Sequence, residues 1–170
     1  MSVKTASVVL DGTGLRFDAR TGSGHRIVLD DGEGDAGARP AELVPVAIAA
    51  CTAMDVISIL RKKRQSITRY EANATGEQAD DVSPHVFTRV DVVHLIEGPS
   101  IDVEAVRRAI GLSATRYCSV GGTLATGVTE VHHGYVVRSA GEELSEEVVV
   151  TGPKNEPDRL GRPAVALGAA

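Results

Sequence analysis

The chain has 170 residues, 42% of them hydrophobic, and a formal net charge of -5. That length suits one domain that buries its own core without a metal or disulfide staple, and the acidic balance removes the long-range attraction that nucleic acid or an anionic membrane would require. With two Phe, three Tyr and no Trp, the core must rest on Val, Ala, Leu and Ile.

The N-terminal MSVKTASVVLDG lacks the apolar run of a signal peptide, and no segment reaches about 18 uninterrupted apolar residues, so a cytoplasmic protein is expected. In that reducing compartment a permanent disulfide between Cys51 and Cys118 is disfavoured. Two cysteines alone are also too few to hold a metal cluster.

Taken in order, Val3 to Leu10 is β-branched and partly alternating, DGTG at 11–14 is a turn, and Leu15 to Ala19 is the return strand. TGSG at 21–24 then turns the chain into HRIVLD at 25–30, giving an expected antiparallel three-strand unit. The Asp- and Gly-rich segment 30–38 reads as an exposed loop.

Pro40 opens a helix through Arg64, with Pro45 expected to bend it. Steps of three and four place Leu43, Ala47, Ala50, Met54, Ile57 and Leu60 or Arg61 on an inward stripe, and the near absence of charge predicts a mostly buried helix. Arg61 to Arg64 suit the negative end of its dipole.

Strands are expected at Ile67 to Glu77 and Val86 to Ile96. Polar Thr88, Asp91 and His94 there favour a sheet with one solvated face and antiparallel pairing. Asp102 is positioned to cap a helix ending near Tyr117, and a short helical turn comes after Cys118. The last strand is Val128 to Val137, where Gly134 marks a bulge. Beyond Arg138 the acidic SAGEELSEE and the later PKNEPDRLGRPAVALGAA read as an unstructured extension, 139–170.

Only a thiolate is a nucleophile, and an ordinary cysteine is mostly protonated at neutral pH. Taken by itself, Cys51 in its apolar helix reads first as core filling. The histidines offer no i, i+4 helical pair for a metal, and adjacent His132 and His133 must point to opposite faces of their strand. Asp55, one turn beyond Cys51, reads as structural, since a carboxylate facing the thiol would oppose its ionisation.

The blocks PAELVPVAIAACTAMDVISILRKKRQ and AIGLSATRYCSVGGTL together resemble the OsmC/Ohr family of thiol-dependent peroxidases, in particular its OsmC-like subgroup. The resemblance spans roughly residues 1–138. It implies an α+β fold with antiparallel sheets packed around two central helices, in an intertwined homodimer.

By residue matching it gives Cys51 the peroxidatic role and Cys118 the resolving role. A sulfenic acid on Cys51 would condense with Cys118 to a disulfide, to be reduced by a dithiol such as a lipoyl group, with organic hydroperoxides or hydrogen peroxide as substrate. No cofactor, metal, nucleic acid or membrane enters this chemistry.

The family also uses an Arg and a Glu that orient each other. Its glutamate directly follows the helix-opening Pro, where this chain has Ala41, with Glu42 one residue later and so turned by about 100°. Arg39 and Arg26 are the candidate arginines, Arg39 by proximity. Met54 and Tyr117 are candidate walls of a substrate pocket. Because of the displaced glutamate, the alternative is a redox-sensing or ligand-binding member with little peroxidase turnover.

Overall fold

The computed structural model describes residues 3–153 and the short strand Ala166–Leu167. The chain divides into two compact units, Met1–Val44 and Pro45–Ala170. In the first, β1 (Ala6–Leu10), β2 (Phe17–Thr21) and β3 (Arg26–Leu29) form the expected antiparallel three-stranded sheet. The DGTG turn is closed by the Asp11 N–H on the Arg16 carbonyl at 2.9 Å, with Gly12 at φ +93°, a backbone region that favours glycine.

The loop after β3 is organised by Asp30, which is buried. Its carboxylate accepts the N–H groups of Asp31 at 2.9 Å and Ala36 at 3.1 Å, so the glycines need no regular element to satisfy the backbone. The unit ends in a 3-10 turn, Pro40–Glu42, that leads into α1 (Leu43–Lys62). Because α-helical geometry starts only at Leu43, Pro45 falls in the first turn. Its missing N–H therefore breaks no intrahelical bond, and the bend expected near Pro45 has no cause.

In the second unit, β4 (Arg69–Gln78), β5 (Phe87–Gly98), β6 (Glu130–Ser139), β7 (Glu142–Thr151) and β8 (Ala166–Leu167) form one sheet in sequence order. All neighbours are antiparallel except β5 and β6, which run parallel, contrary to the all-antiparallel expectation. The reason lies in the connection. Between them the chain makes α2 (Val103–Leu112), a π turn (Ser113–Tyr117) and α3 (Ser119–Ala125), and such a helical crossover returns the chain to the same sheet end.

Asp102 caps α2 as expected, accepting the Glu104 N–H at 3.0 Å. The bulge at Gly134 is also present, as a register shift between His133 and Gly134. The expected extension from 139 onward does not begin there, because β7 pairs with β6 along its length. The remainder of that extension, 154–165 and 168–170, lies outside the described residues.

The inner face of the sheet carries Val90, Val92, His94 and Ile96 of β5 and Val131, His133, Tyr135 and Val137 of β6, all buried. Two apolar clusters pack on it. One joins Val56 and Leu60 of α1 to Val106, Ala109 and Ile110 of α2, and to Ile96, Val137 and Val149 of the sheet. The other joins Ile48 of α1 to Val90, Val92, Val131, Cys118 and Ala125.

The inward stripe of α1 is thus Ile48, Thr52, Val56 and Leu60. Ala47, Ala50 and Met54 of the expected stripe are exposed, and few α1 residues are buried. A helix apolar on nearly every side has no periodicity to say which face turns inward. Ile110 is fully buried in the first cluster. Replacing it with alanine is expected to cost about 2–5 kcal/mol in urea unfolding, with secondary structure retained.

Candidate functional site: a free dithiol

α1 presents Cys51, half-buried, beside the second apolar cluster, where Phe87, Ala74, Val120 and Leu124 also pack. Cys118 reaches the same cluster from the crossover. The π turn closes with the Cys118 N–H on the Ser113 carbonyl at 2.9 Å, and Cys118 then takes the extended conformation that caps α3. Its Sγ accepts the Gly121 N–H at 3.2 Å, and the residue is only 4% exposed.

The two thiols are free, and Cys51 packs against the apolar cluster that contains Cys118, near enough for each to influence the other's ionisation. Burial first, and then the neighbouring Cys51, push the Cys118 thiol up to about 12, against the opposing pull of the Gly121 N–H. Cys118 therefore keeps its proton at neutral pH. Chemically the site is a reduced, close-set thiol pair with one more accessible sulfur, Cys51, and one protonated and enclosed sulfur, Cys118.

Among the other expected site residues, Arg39 and Glu42 meet within the first unit. Glu42 accepts the Arg39 main-chain N–H at 2.9 Å and its guanidinium at 3.2 Å, and the main-chain bond foremost holds this carboxyl below its usual range. Both side chains are exposed, so the pair is a salt-screened surface contact. Arg26 bonds instead to Asp18 across the β2–β3 pair, at 2.6 Å. In the second unit Met54 is 71% and Tyr117 56% exposed, so they do not form an enclosed wall within this chain.

Asp55, read from the sequence as structural, has a partner that the sequence did not give. Asp55 bonds to Ser113, whose Oγ donates to Oδ2 at 2.9 Å. Asp55 is the sole charge between Leu43 and Leu60, and a charge on an apolar helix demands a partner, which was the available signal.

A buried polar belt continues between the apolar clusters. Thr52 bonds back to the Ile48 and Ala49 carbonyls, and the Tyr70 hydroxyl meets His94 Nδ1 at 2.7 Å. His133 is 1% exposed, and neither of its ring nitrogens bonds to a described protein group. His132 points to the opposite face, onto Glu147 at 2.7 Å, as strand alternation requires. Among the described residues, no group of three or more His, Cys, Asp or Glu is placed to hold a metal ion.

Fold and site together describe an α+β protein that carries a paired dithiol where a sheet-packed helix meets a helical crossover. The family model for OsmC-like proteins matches residues 32–133, and the chain belongs to that family.

It is 38% identical over 127 residues to protein YhfA of Escherichia coli K12, an alignment covering 75% of this chain and 93% of the relative. The crystal structure of an OsmC-like protein from Mycoplasma pneumoniae superposes with a TM-score of 0.67 at 18% identity, covering 80% of this chain and 97% of that one. That of the organic hydroperoxide resistance protein OsmC from Legionella pneumophila gives 0.59 at 12%, covering 81% and 97%. At those identities both structures speak to the fold, which is the α+β OsmC-like fold expected.

Proposed function

We propose that this protein reduces hydroperoxides, organic ones in particular, by dithiol chemistry. The observation that carries the reading is the placement of a half-buried Cys51 against the apolar cluster that holds a buried, protonated Cys118. The Cys51 thiolate attacks the outer peroxide oxygen. The O–O bond breaks, the alkoxide takes a proton and leaves as alcohol, and Cys51 becomes a sulfenic acid. Cys118 then gives up its proton and attacks the Cys51 sulfur, expelling the hydroxyl as water and forming the disulfide. An external dithiol, for which a lipoyl group is the expected type, restores both thiols and leaves oxidised.

Apolar Ile48, Phe87, Val120 and Leu124 around the pair favour an alkyl over a purely polar substrate. Arg39 and Glu42 are assigned the orienting pair on the strength of their mutual bond, and Arg26 is set aside because Asp18 engages it.

A homodimer is part of the reading. Pro40–Lys62 has the length and apolar composition of a membrane-crossing helix, yet only 22% of its most apolar window is buried. A second copy covering it would keep Val46 and Met54 from water and turn Met54 and Tyr117 into pocket walls.

The test is turnover of cumene hydroperoxide with dihydrolipoamide. Wild type is expected to cycle. Cys118→Ser is expected to consume one equivalent and stop, leaving a Cys51 sulfenic acid that dimedone traps. Absence of wild-type turnover with both alkyl hydroperoxide and hydrogen peroxide would overturn the enzyme reading, and oxidation of the thiols without turnover would favour the sensing alternative.

A further inference from the structure

We infer that Asp55 and Ser113 are positioning residues that lock α1 and the crossover in the register at which Cys51 and Cys118 can join. Asp55 lies four residues after Cys51, so the two side chains stand one turn apart along the same side of α1. Its carboxylate is turned to Ser113, whose Oγ donates to it at 2.9 Å.

Ser113 is 1% exposed and opens the π turn, and its carbonyl receives the Cys118 N–H at 2.9 Å. One residue therefore grips the Cys51 helix with its side chain and the Cys118 backbone with its main chain. Farther along, Cys118 Sγ is steadied by the Gly121 N–H. A continuous path of short bonds runs from the turn after one cysteine to the backbone of the other.

The geometry of a disulfide explains why such a lock matters. The two Cα atoms must lie about 4.4–6.8 Å apart with Cβ atoms about 3.5–4.5 Å apart. Sliding α1 by one turn moves Cys51 about 5.4 Å, and rewinding the π turn by one residue rotates Cys118 and α3 by about 100°. Either change carries the sulfurs out of range.

A carboxylate so close to a thiol works against thiolate formation, so a role in activating Cys51 does not account for Asp55. The charge is directed away from that task, toward Ser113 and toward Tyr70, whose hydroxyl ionisation is opposed first by burial and then by the Asp55 charge. Tyr70 in turn holds His94.

The inference rests on the dithiol reading, but its test does not require peroxide turnover. Reduced full-length protein is equilibrated in glutathione redox buffers, where one oxidised glutathione accepts two electrons from Cys51 and Cys118, yielding the protein disulfide and two reduced glutathiones. The disulfide is quantified by mass spectrometry after thiol trapping.

Asp55→Ala and Ser113→Ala are each expected to lower the equilibrium constant for disulfide formation by about tenfold or more, the scale of a hydrogen bond to a charged group. Asp55→Asn retains an acceptor for Ser113 and is expected to stay within about threefold of wild type, and the Asp55→Ala/Ser113→Ala double variant to fall little below either single one. Ile110→Ala, which loosens the same crossover without touching the bond, is expected to leave the constant within about twofold.

Equal constants for wild type, Asp55→Ala and Ser113→Ala would overturn the lock, as would an Asp55→Asn loss as large as that of alanine. An Ile110→Ala loss matching Ser113→Ala would reduce the effect to general destabilisation and overturn it equally. A lock that passes in glutathione while wild type fails with peroxides would sink the peroxidase assignment alone.

Discussion

Cys51→Ser is expected to abolish hydroperoxide turnover, lowering kcat/KM by about a thousandfold or more, because a serine hydroxyl supplies no thiolate-like nucleophile at neutral pH. The structure leaves no substitute in place. Cys118 is enclosed and keeps its proton, with burial as the main cause, so it is poorly suited to open the reaction.

The same asymmetry separates the two cysteine variants. Cys118→Ser retains a first, stoichiometric oxidation, whereas Cys51→Ser loses the burst itself. Rapid-mixing measurement of peroxide consumption over the first turnover checks the difference. A Cys51→Ser protein that melts like wild type and still consumes an equivalent of peroxide at more than about a tenth of the wild-type rate would show that Cys51 is not the attacking group.

The second large effect is on stability in mild acid. Burial holds His94 down to about 4. Burial first, then the neighbouring charges of His94 and His132, holds His133 down to about 3. The ordinary histidine value is 6.5, so the unfolded chain takes up protons below pH 6.5 that the folded chain refuses. Their contribution is therefore neutral above pH 6.5, and stability falls as pH drops from 6.5 toward 4 and 3.

The loss is about 2 kcal/mol for each histidine by pH 5, about 4 kcal/mol together, before carboxylates begin to add their own acid dependence. Urea unfolding midpoints at pH 7.5 and pH 5 measure it. His133→Leu is expected to halve the slope between those values. A wild-type midpoint that does not move over this interval, or a slope indifferent to His133, would show that these rings are hydrated and free to titrate.

The belt of buried polar groups also marks what the sequence could and could not disclose. Alternation and turn residues placed β1 to β6 and both flanking helices within a few residues, because in those segments apolar and polar positions take turns with the local geometry. The two cysteines were legible through two matching blocks far apart in the chain. Neither spacing nor composition would have paired them.

The inward face of α1 was not legible, since Val, Ile, Ala and Met occupy nearly every side of it. His94 was read as a sign of solvent, although it keeps the inward beat of Val90, Val92 and Ile96. A polar residue on that beat signals an internal partner, here Tyr70, as readily as it signals water. β7 was missed for a related reason: EELSEE has mostly exposed side chains, and only the later Val148, Val149 and Thr151 are buried. Its first half is a strand because β6 offers hydrogen bonds, not because its side chains seek a core.

The helical crossover between β5 and β6 has a bearing on when the chain becomes reactive. Cys51 lies before β4 and Cys118 after α2, so the thiols can meet only after the chain has laid down two strands and brought a helix back across them. Parallel pairing of this kind closes late, because the loop must be ordered before its contacts reward it. An unfinished or misfolded chain therefore holds two solitary thiols, each with the modest reactivity of any exposed cysteine. The thiols come together only with the native topology, and on the proposed reading the yield of a Cys51–Cys118 bond under mild oxidation is expected to serve as a readout of correct folding.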